Sequence, residues 1–199
     1  MGKKLEFFYD CSSPWTYLAF SKIEDVVRRH NADLVWRPIL VGGVFNAVNP
    51  SVYETRERPV KPKARYYAKD LQDWAHLYGL KIGQPTVFPV NSVKAMRGAF
   101  VADEHGKLSA YSRQVFERYW SEDRDISKDE VLRQIVREVG LDEREYFAKI
   151  GAQQYKDQLK RYTDELIERG GFGSPTIFVD GAMFFGNDRL ILVEHALSH

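Results

Sequence analysis

Apolar positions are spaced one way at the two ends of this chain and another way through its middle. Leu5 to Tyr9 is a short, aromatic-rich apolar run closed by polar turn residues, which predicts a buried strand. Ser12 or Ser13 then offers a helix cap, and Pro14 suits the first turn, where its missing N–H is not needed. Tyr17, Leu18, Ile23 and Val26 carry that helix to about Arg29, and Asp33 to Ile39 reads as a second strand ending near Pro38. The opening is β-α-β. At the other end, Gly170-Gly171-Phe172-Gly173 breaks a helical pattern, and Pro175 to Val179 reads as a strand. Asp180-Gly181 is a two-residue hairpin signal, and Ala182 to Phe185 is the return strand. Asn187 or Asp188 caps a last helix with an apolar face of Leu190, Leu192, Val193, Ala196 and Leu197. The ending is β-β-α. Helical periodicity fills the middle over 63–78, 92–103, 108–120, 128–139, 143–150 and 153–169, punctuated by Gly79, Gly106, Gly140 and Gly151.

This order of elements describes an α/β, thioredoxin-like domain, residues 1–40 with 170–199, interrupted by an all-helical insertion over 41–169. Composition changes the picture little. The 199 residues are 44% hydrophobic and 29% charged, an ordinary globular balance, and the net charge of +1 argues against a dedicated nucleic-acid surface. The run from Arg56 to Lys69 is the one basic stretch, and a solvated helix face is its plain reading. A single cysteine, Cys11, forbids an intrachain disulfide and a cysteine-based zinc site, and fits a reducing compartment. No signal peptide is visible at the N-terminus, and no apolar run approaches the roughly 20 residues of a membrane helix. The expectation is a soluble, cytoplasmic protein. Of the five histidines only His195 and His199 stand four residues apart, and that pair lacks the His-Glu-x-x-His setting of a zinc site, so no metal site is expected; Ser13 lacks the Gly-x-Ser-x-Gly setting of a hydrolase nucleophile.

The candidate chemistry lies in Ser13-Pro14-Trp15-Thr16, between the first strand and the first helix. Redox members of the thioredoxin fold carry Cys-x-x-Cys there, because unpaired N–H groups at a helix N-terminus stabilise a thiolate. Here Ser13 and Thr16 fill both cysteine positions, so dithiol exchange within the chain is excluded, while a thiolate brought from outside still finds a hydroxyl donor and a helix terminus. Taken locally, Ser13 reads first as a plain helix cap. Gly173-Ser174-Pro175-Thr176 supplies the second motif: in this fold the proline is cis and faces the tetrapeptide, leaving the Ser174 backbone for an extended, peptide-like ligand. An ordinary strand start is the alternative. The third is Phe185-Gly186-Asn187-Asp188-Arg189-Leu190, where Asp188 and neighbouring N–H groups suit the charged amino-acid end of a peptide, and capping is the alternative.

With Phe8-Tyr9-Asp10, Asp70-Leu71-Gln72-Asp73-Trp74-Ala75 and Phe88-Pro89-Val90-Asn91 added to these motifs, the chain resembles the 2-hydroxychromene-2-carboxylate isomerase family. That family is close to the kappa-class glutathione transferases and lies within the DsbA-like thioredoxin superfamily. The resemblance spans nearly the whole chain and implies a DsbA-type fold with glutathione as cofactor. It gives Ser13 the catalytic place beside the sulfur and gives Ser174, ahead of cis Pro175, the cysteinyl backbone. Phe185, Gly186, Asn187 and Asp188 take the γ-glutamyl end, and Lys63 and Asn49 match polar positions reaching in from the helical part. Asn91, Arg58 and Trp74 fall on the substrate side, although Trp74, Tyr66 and Tyr67 serve equally as core. The implied reaction is cis–trans isomerisation of an aromatic α-keto acid by reversible thiolate addition, with Lys63 or Arg58 on the substrate carboxylate. A homodimer is implied as well, with no surface fixed by the sequence. A glutathione transferase is the near alternative, and a non-catalytic thiol- or peptide-binding protein the more distant one.

Overall fold

A computed structural model describes residues 2–199. Strand β1 (Lys4–Tyr9) leads into helix α1 (Pro14–Arg29) and strand β2 (Asp33–Pro38). Strands β3 (Thr176–Val179) and β4 (Ala182–Phe185) form the predicted hairpin, and helix α10 (Leu190–Ser198) closes the chain. The sheet runs β2-β1-β3-β4. β1 lies parallel to β2, with Phe7 opposite Trp36, and antiparallel to β3, with Phe7 opposite Ile177. This is a thioredoxin-like core of DsbA type with helices inserted between β2 and β3.

β1 is central, and every residue from Leu5 to Tyr9 is buried. Alternate side chains point to opposite faces. Phe7 and Tyr9 pack with Phe20, Trp36 and Phe116 on one side, whereas Phe8 meets Phe178, Val44 and Leu166 on the other. Glu6 is the exception in this apolar run. Its carboxylate accepts from Arg37 at 2.9 Å and from Arg169 at 2.9 Å, and Arg169 lies 3.8 Å from the centre of the Phe178 ring. A buried carboxylate is tolerable when so paired.

Between β2 and β3 come α2 (Val41–Val48), α3 (Ser51–Glu57), α4 (Lys61–Tyr78), α5 (Val93–Glu104), α6 (Leu108–Phe116), α7 (Asp129–Glu138), α8 (Glu143–Gly151) and α9 (Gln153–Glu168). The largest cluster of buried apolar side chains runs from β1 and α1 into α5, α6, α7 and α8 without a break. Gly98 is fixed by this packing, because a Cβ there would collide with the Tyr111 and Tyr146 hydroxyls, which bond each other at 2.7 Å. Among the described residues no helix is long and apolar enough to cross a membrane.

The sequence expectations need four corrections. α2 and α3 are absent from them: Gly42 and Gly43 depress the helical signal of α2, and α3 buries no residue that would give it a period. The helix over 108–120 ends as α-helix at Phe116 and continues as one wider turn over Glu117–Ser121. Asn187 and Asp188 do not cap α10; they form a separate 3-10 turn, Asn187–Arg189, ahead of it. Leu192 is exposed, so the buried face of α10 is Leu190, Val193 and Leu197.

Candidate active site

The N-terminus of α1, the loop before β3 and the turn after β4 converge on one cleft of about 1070 Å³. Ser13 is the cap of α1, its backbone extended at φ −107° and ψ 125°, and its Oγ accepts the Thr16 N–H at 3.3 Å. The hydroxyl also donates across the cleft wall to the Ser174 carbonyl at 3.1 Å. Capping and facing the Ser174 loop are thus two bonds of one side chain. The Ser174–Pro175 peptide is cis, as is Phe88–Pro89, which the sequence expectations did not include.

Asp10 holds this corner together from below. Its carboxylate is fully buried and accepts the Ser12 N–H at 2.9 Å, the Val41 N–H at 2.8 Å and the Ser92 hydroxyl at 3.1 Å. Burial pushes this carboxyl above its ordinary range, while the donors pull it back. The bond to Val41 also supplies an N–H partner at the start of α2, where no local side chain caps the helix. Cys11, next in the chain, is 1% exposed, and burial together with the nearby Asp10 charge pushes its thiol well above the usual range. It is a packed side chain without thiolate character.

The far end of the cleft is the turn after β4. Gly186 has φ +103°, and a Cβ there would sit 2.7 Å from Asp188 Oδ1, so both backbone and space require glycine. Asn187 is 3% exposed, and its Nδ2 is buried with no partner among the described residues. Asp188 is half-exposed and pairs with Arg189 at 2.5 Å. An orphaned amide donor, a carboxylate and an arginine within three residues suit a ligand end that carries both charges.

Ser13, Ser174, Pro175, Phe185, Gly186, Asn187, Asp188, Asn49, Asn91 and Trp74 all line this cleft. Asn49 ends α2 and ties it to the opposite wall by donating to the Phe172 carbonyl at 3.1 Å. Trp74 both packs on the core and lines the cleft; Tyr67 lines it, and Tyr66 does not. Lys63 and Arg58 fall outside the lining. Lys63 lies on the exposed face of α4, 5.5 Å from the Tyr67 ring centre, and Arg58 is the exposed end of α3. Two arginines do line the cleft: Arg189, paired with Asp188, and Arg56, which has no ion-pair partner among the described residues and is held 5.7 Å from the Phe45 ring and 5.2 Å from the Phe88 ring. Sequence reasoning missed Arg56, because without α3 nothing separates it from the solvated basic run.

A DSBA-like thioredoxin domain model matches residues 4–198. The 2-hydroxychromene-2-carboxylate isomerase of Pseudomonas putida is 33% identical over 204 residues, covering 97% of this chain and 93% of the relative. The chain belongs to the DSBA-like thioredoxin family and, within it, to the family of the 2-hydroxychromene-2-carboxylate isomerases. Human glutathione S-transferase kappa 1 is 29% identical over 214 residues, covering 99% of this chain and 92% of the relative. A solved 2-hydroxychromene-2-carboxylate isomerase superposes with a TM-score of 0.84 at 27% identity, covering 98% of this chain and 94% of the other.

Proposed function

We propose that this protein is a glutathione-dependent cis–trans isomerase of aromatic α-keto acids of the 2-hydroxychromene-2-carboxylate type. The observation that carries the reading is the Ser13 hydroxyl, standing at the N-terminus of α1 and on the cleft wall where a redox relative would hold its cysteine. The site fits glutathione on three further counts. The orphaned Asn187 amide suits the γ-glutamyl carboxylate, Asp188 suits its ammonium group, and Ser174 beside Pro175 offers backbone to the cysteinyl residue.

Glutathione supplies a thiolate that adds reversibly to a conjugated carbon, permitting rotation about the former double bond. An ordinary thiol of pKa about 8.5 is only about 3% ionised at neutral pH. Ser13 Oγ and the α1 N-terminus lower that pKa by donating to the charged form. Phe45, Phe88 and Trp74 give the substrate ring an apolar surface, and Arg56 replaces Arg58 and Lys63 as the partner of its carboxylate. The same reading carries a homodimer in a reducing, cytoplasmic setting, and sedimentation as a monomer removes the dimer.

The kappa-class relative favours glutathione transfer as a second reading. Incubating the purified protein with 2-hydroxychromene-2-carboxylate, with and without glutathione, separates the two. Accelerated equilibration with glutathione conserved supports the isomerase. Conjugate formation with glutathione consumed supports the transferase, and glutathione binding without rate acceleration reduces the protein to a thiol binder.

A further inference from the structure

Three hydroxyls meet at the cleft wall, those of Ser13 and Ser174 on residues that line it and that of Thr16 behind them, and their hydrogens outnumber the acceptors around them. Ser13 Oγ uses its hydrogen on the Ser174 carbonyl. Ser174 Oγ accepts the Asp10 N–H at 3.0 Å and lies 2.7 Å from Thr16 Oγ1. One hydrogen fills the line between Thr16 and Ser174, which leaves one over. Thr16 is 0% exposed, and among the described residues its hydroxyl has no partner but Ser174. Were Ser174 the donor, the Thr16 hydrogen would be shut into the core without an acceptor, a penalty that the opposite arrangement avoids. With Thr16 as donor, the hydrogen left over belongs to Ser174, a residue on the cleft wall.

We propose that the Ser174 hydroxyl is a second donor to the glutathione sulfur, so that the thiolate is held between two serine hydroxyls, Ser174 and Ser13, the Ser13 hydrogen turning from the Ser174 carbonyl to the sulfur as the ligand enters. The proposal rests on the glutathione reading above and gives Ser174 a role for its side chain beyond its backbone. Ser174 Oγ receives two donors, the Asp10 N–H and the Thr16 O–H, and a hydroxyl polarised in this way donates its own hydrogen more strongly. Thr16, at the second cysteine position of redox relatives, is a positioning residue: by donating to Ser174 Oγ it leaves the Ser174 hydrogen free for the ligand, and it does not itself line the cleft.

The test follows the ionisation of bound glutathione by ultraviolet thiolate absorbance across a pH titration. Ser174→Ala raises the apparent pKa of the bound thiol by about half to one unit, three- to tenfold less thiolate at a fixed pH below it. Its dissociation constant for S-methylglutathione, which has no thiol to ionise, stays within twofold of wild type. Ser174→Thr keeps a hydroxyl and restores the wild-type titration. An unchanged titration in Ser174→Ala overturns the proposal, as does a shift that Ser174→Thr does not reverse. A crystal structure of the wild-type complex decides the matter without any variant: Ser174 Oγ within hydrogen-bonding reach of the sulfur supports it, and Ser174 Oγ turned away overturns it. Glutathione that fails to bind the wild-type protein in calorimetry is a different failure, because it removes the glutathione reading itself.

Discussion

Along one wall of the cleft, where α1 meets the loop before β3, Ser13, Thr16, Ser174 and Asp10 bond one another, and Thr16 and Asp10 are wholly buried. Along the other, α3 buries no residue and α4 buries only Ala75. That wall presents Tyr67, Trp74, Phe88 and Arg56, and among the described residues Arg56 has no ion-pair partner. The first wall fixes atoms to within a hydrogen-bond length, which chemistry at a sulfur requires. The second offers rings and a cation that tolerate differences in the outline of what they hold. On the proposed function, the reacting group is held by the closed wall, and the choice of electrophile rests with the open one.

Ser13→Ala is the strongest way to break this contrast. Losing the donor to the thiolate lowers turnover by about 100-fold, and losing the cap lowers stability by only about 1 kcal/mol. Steady-state kinetics beside a urea melt measure both, and wild-type turnover in this variant takes the closed wall out of the chemistry. Asp188→Ala comes next. It removes the proposed partner of the γ-glutamyl ammonium and raises the glutathione dissociation constant about tenfold, near 1.4 kcal/mol. An unchanged constant in calorimetry means that this end of the cleft holds something else. Arg56→Met tests the open wall. The KM for a carboxylate-bearing electrophile rises about fivefold, as for a partly exposed charge pair. KM for a neutral electrophile and the dissociation constant for glutathione stay as they are. If glutathione affinity falls instead, Arg56 serves the glycyl carboxylate, and the division between the walls is misdrawn.

The same contrast decides what could be read from the sequence. β1, α1, the β3–β4 hairpin and the motifs around Ser13, Pro175 and Gly186 are legible, because short-range rules specify each: an apolar run, Pro14 just inside a cap, Asp180-Gly181 between two strands. Lys63 and Arg58 are misjudged and Arg56 is overlooked for one reason. α3 carries no buried stripe, and α4, which holds Lys63, buries only Ala75, so neither helix leaves in the sequence a stripe that tells which of its side chains face the cleft. The N-terminus of α2 is hidden for another reason, since the carboxylate that takes its Val41 N–H belongs to Asp10, 31 residues away. The Thr16–Ser174 bond spans 158 residues, and only the folded chain brings those hydroxyls together.

The smallest expected effect on activity, and the sharpest contrast in support, lies behind the two walls. Glu6 is buried on β1, the strand that leads into the closed wall, and Lys69 with Asp73 lies exposed on α4. Burial pushes the Glu6 carboxyl up, but hydrogen bonds from Arg169, Arg37 and Lys4 outweigh it and hold the pKa at about 2 against an ordinary 4.5. A depressed carboxylate pKa gives stability that is fully present above the ordinary value and is lost as pH falls through the folded one. Urea midpoints taken from neutral pH downward should therefore fall between about pH 4.5 and pH 2, with at most about 3 kcal/mol of that loss due to Glu6. Glu6→Gln lowers stability at neutral pH and flattens this acid limb, leaving turnover of the folded protein unchanged because no atom of Glu6 reaches the cleft. Asp73→Asn leaves the limb as it is, since both partners of that pair are exposed and screened. An acid limb of equal depth in Glu6→Gln and wild type would mean that the arginines bracketing β1 do not stabilise the sheet beneath the closed wall, and that its rigidity comes from the Asp10 corner alone.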